Sequence, residues 1–160
     1  MTSKEKTRRP RRVVVGTDED GRSAVVADDI ATPSTVRPNG AALHELWRQK
    51  SFPAHVDDDG TSHTEMEVTA PGSGTVVRRY TLPPESAEAG AGAAQGLHTS
   101  DSLFVITVIS GRVRIDLEVD GVDLEPGESI VLPGSMHDMQ NTSNEPATLV
   151  YTAFHLQQPS

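Results

Sequence analysis

The sequence contains no cysteine. That removes disulfides, thiolate metal sites and cysteine nucleophiles, and it leaves the redox compartment unreported. Other metal ligands stay open. No apolar run approaches the length of a membrane span, and the basic start leads into the valines of residues 13–15 instead of a signal-peptide apolar stretch. A soluble, cytoplasmic protein is the expectation. Positive charge is scarce beyond the first residues: Lys4, Lys6, Arg8, Arg9, Arg11 and Arg12 face Glu5 alone, so residues 1–12 carry +5, and the net charge of −9 leaves −14 for the remainder. A run such as RRPRR can serve as a nucleic-acid arm, but a body this negative repels nucleic acid. We therefore expect a disordered basic tail over residues 1–11 and one domain over residues 12–157, with a small-molecule or protein partner and no nucleic acid or membrane. A chain of 160 residues can bury a core without staples.

What is present reads as short strands. Residues 13–27, VVVGTDEDGRSAVVA, hold two β-branched runs around Asp18, Asp20 and Gly21, the grammar of a hairpin. Residues 42–50, ALHELWRQK, fit either one short helical turn or a strand edge, and the pattern does not choose between them. Residues 52–74 are acidic and aperiodic, an irregular excursion between strands. Within it Asp57, Asp58 and Asp59 precede Gly60, but the spaced ligands and terminal Glu of a calcium loop are missing, so the run reads as an exposed turn. Residues 75–82, TVVRRYTL, form a strand candidate ending at Pro83 and Pro84. ESAEAGAGAAQG follows, a small-residue linker with little to pack and expected to be mobile. Residues 103–109 are continuously apolar and β-branched, residues 112–119 alternate with Val113, Ile115 and Leu117 on one face, and residues 129–132 and 147–156 complete the series. Short strands at this spacing predict an all-β sandwich or barrel.

Two segments carry a family resemblance. Residues 92–111, GAAQGLHTSDSLFVITVISG, and residues 127–141, GESIVLPGSMHDMQN, resemble the two motifs of the cupin family. The first family motif places Gly, His-x-His, Glu and Gly at set intervals. Gly92, His98, Ser100, Phe104 and Gly111 occupy those positions with the spacing intact. Gly127, Pro133, Gly134, His137 and Asn141 follow the second motif, with one residue missing between Pro133 and Gly134. The upstream segments RRVVVGTDEDGRSAVV, ELW and GTVVRRYTLPP are similar to a bacterial and fungal cupin subgroup, so the resemblance spans about residues 11–157.

The resemblance implies a small single-domain cupin, a double-stranded β-helix or jelly-roll barrel, with the motif histidines facing its interior and any site in the open mouth. The family holds metal with two histidines and a glutamate from the first motif and a histidine from the second. Here His98 and His137 keep their positions, while Ser100 and Phe104 stand in the other two. Two imidazoles with water can hold zinc or nickel weakly, whereas oxygenase iron or manganese normally asks for a carboxylate too. Asp101 and Asp138 neighbour the motif residues, but strand alternation turns both outward. The same alternation points His98, Ser100, Phe104, Ile106 and Val108 inward, with His137 and Met139.

Such a cavity is mainly apolar, with two imidazoles and a hydroxyl, which suits a small organic ligand oriented by one polar group. Imidazoles as a class titrate near neutrality, so His98 and His137 are the candidate acid and base. Ser100 has no visible third group to make it a nucleophile. The expectation is an enzyme of lyase, cyclase or isomerase type acting on an apolar, carboxylated or polyketide-like substrate, as in secondary metabolism, with no required cofactor. The alternatives are a binding or sensing module, or a barrel that only packs or dimerises with vestigial histidines. His44, His55 and His63 have weaker cases; His155 shares a strand face with Leu149 and Tyr151 and reads as a structural histidine. Single-domain cupins generally pair, and a homodimer is expected through the strand of residues 13–15.

Overall fold

The computed structural model describes residues 8–67, 69–84 and 96–157. Gly92 of the first motif, most of the small-residue linker and the first seven residues lie outside them. The described residues form eleven strands and no helix. β1 (Arg11–Thr17) and β2 (Ser23–Ile30) make the hairpin expected from the two valine runs, a two-stranded sheet of its own. The bend is fixed by Asp18, whose carboxylate accepts from the amides of Asp20 and Arg22.

The main sheet has six antiparallel strands in the order β3 (Ser34–Val36), β4 (Ala42–Gln49), β5 (Thr75–Leu82), β11 (Ala147–His155), β6 (Ser102–Ser110) and β9 (Ser129–Pro133). A second sheet runs β10 (Asp138–Asn141), β7 (Val113–Asp116), β8 (Gly121–Leu124). Residues 42–50 thus resolve to a strand, and an interior one. Its alternation was obscured by an irregularity at Leu46: Glu45 pairs with Arg78 and Trp47 with Val77, one residue having been passed over. The aperiodic stretch of residues 52–74 carries no strand among its described residues, and Asp58 and Asp59 close its turns on the amides of His55 and Thr61.

Register stacks side chains in rows across the main sheet. One row reads Leu43, Tyr80, Leu149 and Val108; the next reads Glu45, Arg78, Tyr151, Ile106 and Ile130; a third holds Arg48, Val76, Ala153, Phe104 and Leu132. The apolar members of these rows join Val113, Ile115 and Leu124 of the second sheet in one core cluster. Two motif residues serve to hold the backbone. Gly111 has φ +78°, and a Cβ there would meet Ala147 at 2.7 Å, so the β6–β7 turn requires glycine. Asn141 is buried; its Nδ2 donates to the carbonyls of Pro83 and Glu145, and its Oδ1 accepts from Ser143.

Candidate functional site

The site begins with the two surviving motif histidines. His98 and His137 form an isolated antiparallel bridge, each amide donating to the other's carbonyl, at 3.0 Å and 2.9 Å. Backbone pairing therefore sets their side chains together, with ring centroids 4.7 Å apart and planes tilted by 48°. Each Nδ1 is committed to a nearby backbone carbonyl, that of Gly96 at 3.0 Å for His98 and that of Ser135 at 2.7 Å for His137. A carbonyl only accepts, so both Nδ1 atoms carry hydrogen and Nε2 is left as the reactive nitrogen of each ring. His137 is buried and His98 is exposed at the mouth.

The loop that carries His98 is tied down from the opposite strand. The Gly96 amide donates to Asp138 Oδ2 at 3.1 Å, and the Thr99 hydroxyl donates to the Gly134 carbonyl at 2.8 Å. Asp138 corrects the expectation from alternation. It is buried and lines the cavity, because β10 starts only at Asp138 and His137 belongs to the bridge before it, so strand alternation does not run from one to the other. Its Oδ1 also accepts from the Met139 amide. Asp101 is exposed, the outward position expected of it, although it lies just before β6.

The cavity is lined by Arg37, Leu43, Tyr80, His98, Phe104, Ile106, His137, Asp138, Met139 and Tyr151, with a volume of about 100 Å³. Phe104 packs T-shaped against His137, with ring centroids 6.1 Å apart, and against Tyr151 at 5.5 Å. His98, His137, Phe104, Ile106 and Met139 were legible from the motifs. Ser100 and Val108 are not among the lining residues. Val108 packs in the core beside Leu149, and Ser100 precedes β6, where alternation has not yet begun; its buried Oγ has no hydrogen-bond partner. His155 is exposed at the end of β11 instead of reaching the core.

Arg37, Leu43, Tyr80 and Tyr151 were missed, because they come from outside both motifs; the register of the six-stranded sheet brings in Leu43, Tyr80 and Tyr151, and the turn after β3 brings in Arg37. Arg37 sits over the Tyr80 ring, 5.9 Å from its centroid, a cation–π contact at the cavity wall. Arg78 lies behind Tyr151 and forks onto Glu45, its Nε and Nη2 reaching Oε2 at 3.0 Å and 2.8 Å. Burial works against the Arg78 charge, but Tyr151 and Glu45 outweigh it and raise the pKa above the ordinary arginine value.

No protein-family model matches the sequence. A curated relative from Neurospora crassa, a cupin-domain-containing oxidoreductase named srdB, is 28% identical over 152 residues, covering 91% of this chain and 73% of that protein. Among solved structures, the Cnp3 cupin domain of Schizosaccharomyces pombe superposes with a TM-score of 0.54 at 10% identity, over 91% of this chain and 87% of that one. The chain has the cupin fold. A Thermus thermophilus protein, TT1209, shares the architecture with a TM-score of 0.51 at 19% identity, over 77% of this chain and 90% of that one.

The metal that cupin motifs hold does not fit this barrel. Phe104 puts an aromatic edge where the carboxylate would stand, Ser100 is no part of the cavity, and Asp138 already accepts two amide hydrogens. Among the described residues no group of three or more His, Cys, Asp or Glu side chains is arranged to hold a metal ion. No helix among them is long and apolar enough to cross a membrane.

Proposed function

We propose that this cupin is an enzyme that takes a small, largely apolar organic acid into the barrel and moves protons on it with His98 and His137. Decarboxylation, dehydration, cyclisation and isomerisation are the reaction classes this supports. The observation that carries the reading is the pair of imidazoles at the end of an apolar cavity, each with Nδ1 fixed on a carbonyl and Nε2 left over. A neutral ring held in that tautomer accepts a proton at Nε2, and its protonated partner returns one. Phe104, Leu43, Ile106 and Met139 pack against the ligand body and exclude water. The volume of about 100 Å³ is on the scale of cavities that take a single benzene ring, roughly 150 Å³, which favours a short or one-ring acid over an extended polyketide.

The reading requires no resident metal; zinc or nickel held weakly by two imidazoles and water is the most this donor set supports. A redox reading takes its support from the name of the Neurospora relative, and a non-catalytic binding or sensing role uses the same cavity. A thermal-shift screen with small aromatic and keto acids, followed by turnover assays on the hits, separates these. Replacing either histidine with Gln is expected to leave the melting temperature nearly unchanged and to cut turnover by about 10² to 10⁴. A variant that loses stability while ligand binding persists would assign the pair to packing.

A further inference from the structure

Tyr151 lines the cavity at 9% exposure, and nothing in the motifs points to it. It is the cross-strand partner of Arg78, whose Nη1 lies 3.3 Å from the phenol oxygen. A guanidinium has donors only, so the phenol oxygen accepts at that contact and its own proton is directed elsewhere. Among the described residues that proton has no acceptor. A nine-tenths-buried donor facing a cavity and lacking an acceptor is an incomplete hydrogen bond, and such bonds are completed by what enters.

The support behind Tyr151 is extensive. Arg78 is forked onto Glu45; Glu45 in turn accepts from Arg48 Nε and Nη2 at 2.8 Å and 2.7 Å, and Arg48 Nη1 reaches the surface carboxylate of Glu67 at 2.8 Å. Arg78, Arg48 and Glu45 are each at most 2% exposed, whereas the Glu67 side chain is 66% exposed. The array thus sets two guanidinium groups against the Glu45 and Glu67 carboxylates, and Arg78 is the member that reaches the phenol. On the other wall, Asp138 has its oxygens engaged by the amides of Gly96 and Met139. A buried charge array that rests on the phenol oxygen strengthens the phenol as a hydrogen-bond donor.

We propose that Tyr151 is the anion-recognising group of the cavity: a carboxylate or enolate oxygen of the ligand accepts its proton, with Arg78 fixing the phenol from behind. This rests on the reading of the cavity as a ligand site. Phe104 packs against both Tyr151 and His137, with ring centroids 5.5 Å and 6.1 Å away, so a ligand that engages the phenol and an imidazole together lies along the Phe104 ring. The class selected is a small acid whose negative oxygen and reacting carbon are separated by a few bonds.

The test uses the full chain with benzoate and its uncharged counterpart benzyl alcohol, monitored by NMR of the methionine methyl groups, since Met139 lines the cavity. In the wild type, benzoate is expected to shift the Met139 methyl and to bind at least about tenfold tighter than benzyl alcohol. In Tyr151→Phe, benzoate affinity is expected to fall by about 10- to 100-fold, the loss of a hydrogen bond to a charged group, with benzyl alcohol little changed. Equal wild-type affinities, or a Tyr151→Phe variant that keeps its preference for benzoate, would overturn the assignment of Tyr151 while leaving the cavity a ligand site. If neither probe perturbs Met139 in the wild type, the ligand-site reading fails and the assignment falls with it.

Discussion

Phe104 decides at the residue scale what this cavity is. It occupies the position of the family's carboxylate, yet it packs T-shaped against His137 and Tyr151 and belongs to the wall of a mainly apolar chamber. Phe104→Glu would restore the carboxylate next to two imidazoles. A buried charge without full compensation costs stability, so the expected result is a lower melting temperature and weaker ligand binding, read by calorimetry, without tight zinc or nickel binding. A fully active variant that binds metal tightly would show the cavity to be a metal site one substitution away. Glu45 offers a second test. It is 1% exposed and bridges two buried guanidinium groups; Glu45→Gln leaves both without their shared counter-charge and is expected to cost about 3 to 5 kcal/mol in denaturant unfolding. His98 and Phe104 were legible because the spacing of the first motif is intact, and His137 because its distances to Gly134 and Asn141 survive in a second motif one residue short. Tyr151 and Arg78 were not: a tyrosine and an arginine in β-branched strands look like ordinary alternation until the register shows which face they share.

Among the elements, the β1–β2 hairpin stands apart. It pairs with no third strand among the described residues, and it exposes Val13, Val15, Val25, Val26 and Ile30. Exposed valines beside unpaired strand edges are a template for pairing with another chain. We expect the hairpin to dock on a second copy, giving a homodimer in light scattering at micromolar concentration; Val15→Asp with Val25→Asp is expected to give monomers of unchanged fold, and a wild-type monomer would refute the assignment. The hairpin and the strands of residues 75–82 and 147–156 could be read directly, since they are rich in β-branched and aromatic residues and end at turn or proline residues. β4 could not, because the irregularity at Leu46 breaks its period, and its inner face carries Glu45 and Arg48 where a core strand would show apolar residues. Short β3, β8 and β10 offer three or four residues each, too few for a period to emerge. At Asp138 the same shortness turned an alternation argument the wrong way.

The whole molecule should respond to pH in two separate steps. His44 is buried on the Ser34 hydroxyl, and burial, followed by Arg79 and Arg9, lowers its pKa below 6.5. The unfolded chain therefore takes up this proton first, so stability is complete above about pH 6.5 and falls as pH drops toward the depressed folded value. Asp18, Asp28, Asp58 and Asp59 are lowered from 3.8 by hydrogen bonds with Arg22, Arg11, His55 and Thr61 respectively, so their contribution is lost only as pH falls below that value. Melting curves should show both steps, and His44→Gln should flatten the upper one alone; an unchanged upper step would place its origin elsewhere. The fold and the replacement of two ligand positions were both readable from the two motifs, and the proposed function rests on them: proton transfer by two imidazoles, with no iron required, in a cupin barrel. Elemental analysis of protein purified without an affinity tag tests that most directly. The account predicts iron and manganese far below one equivalent per chain, with at most a partial zinc or nickel content, and one equivalent of iron or manganese surviving thorough washing would contradict it.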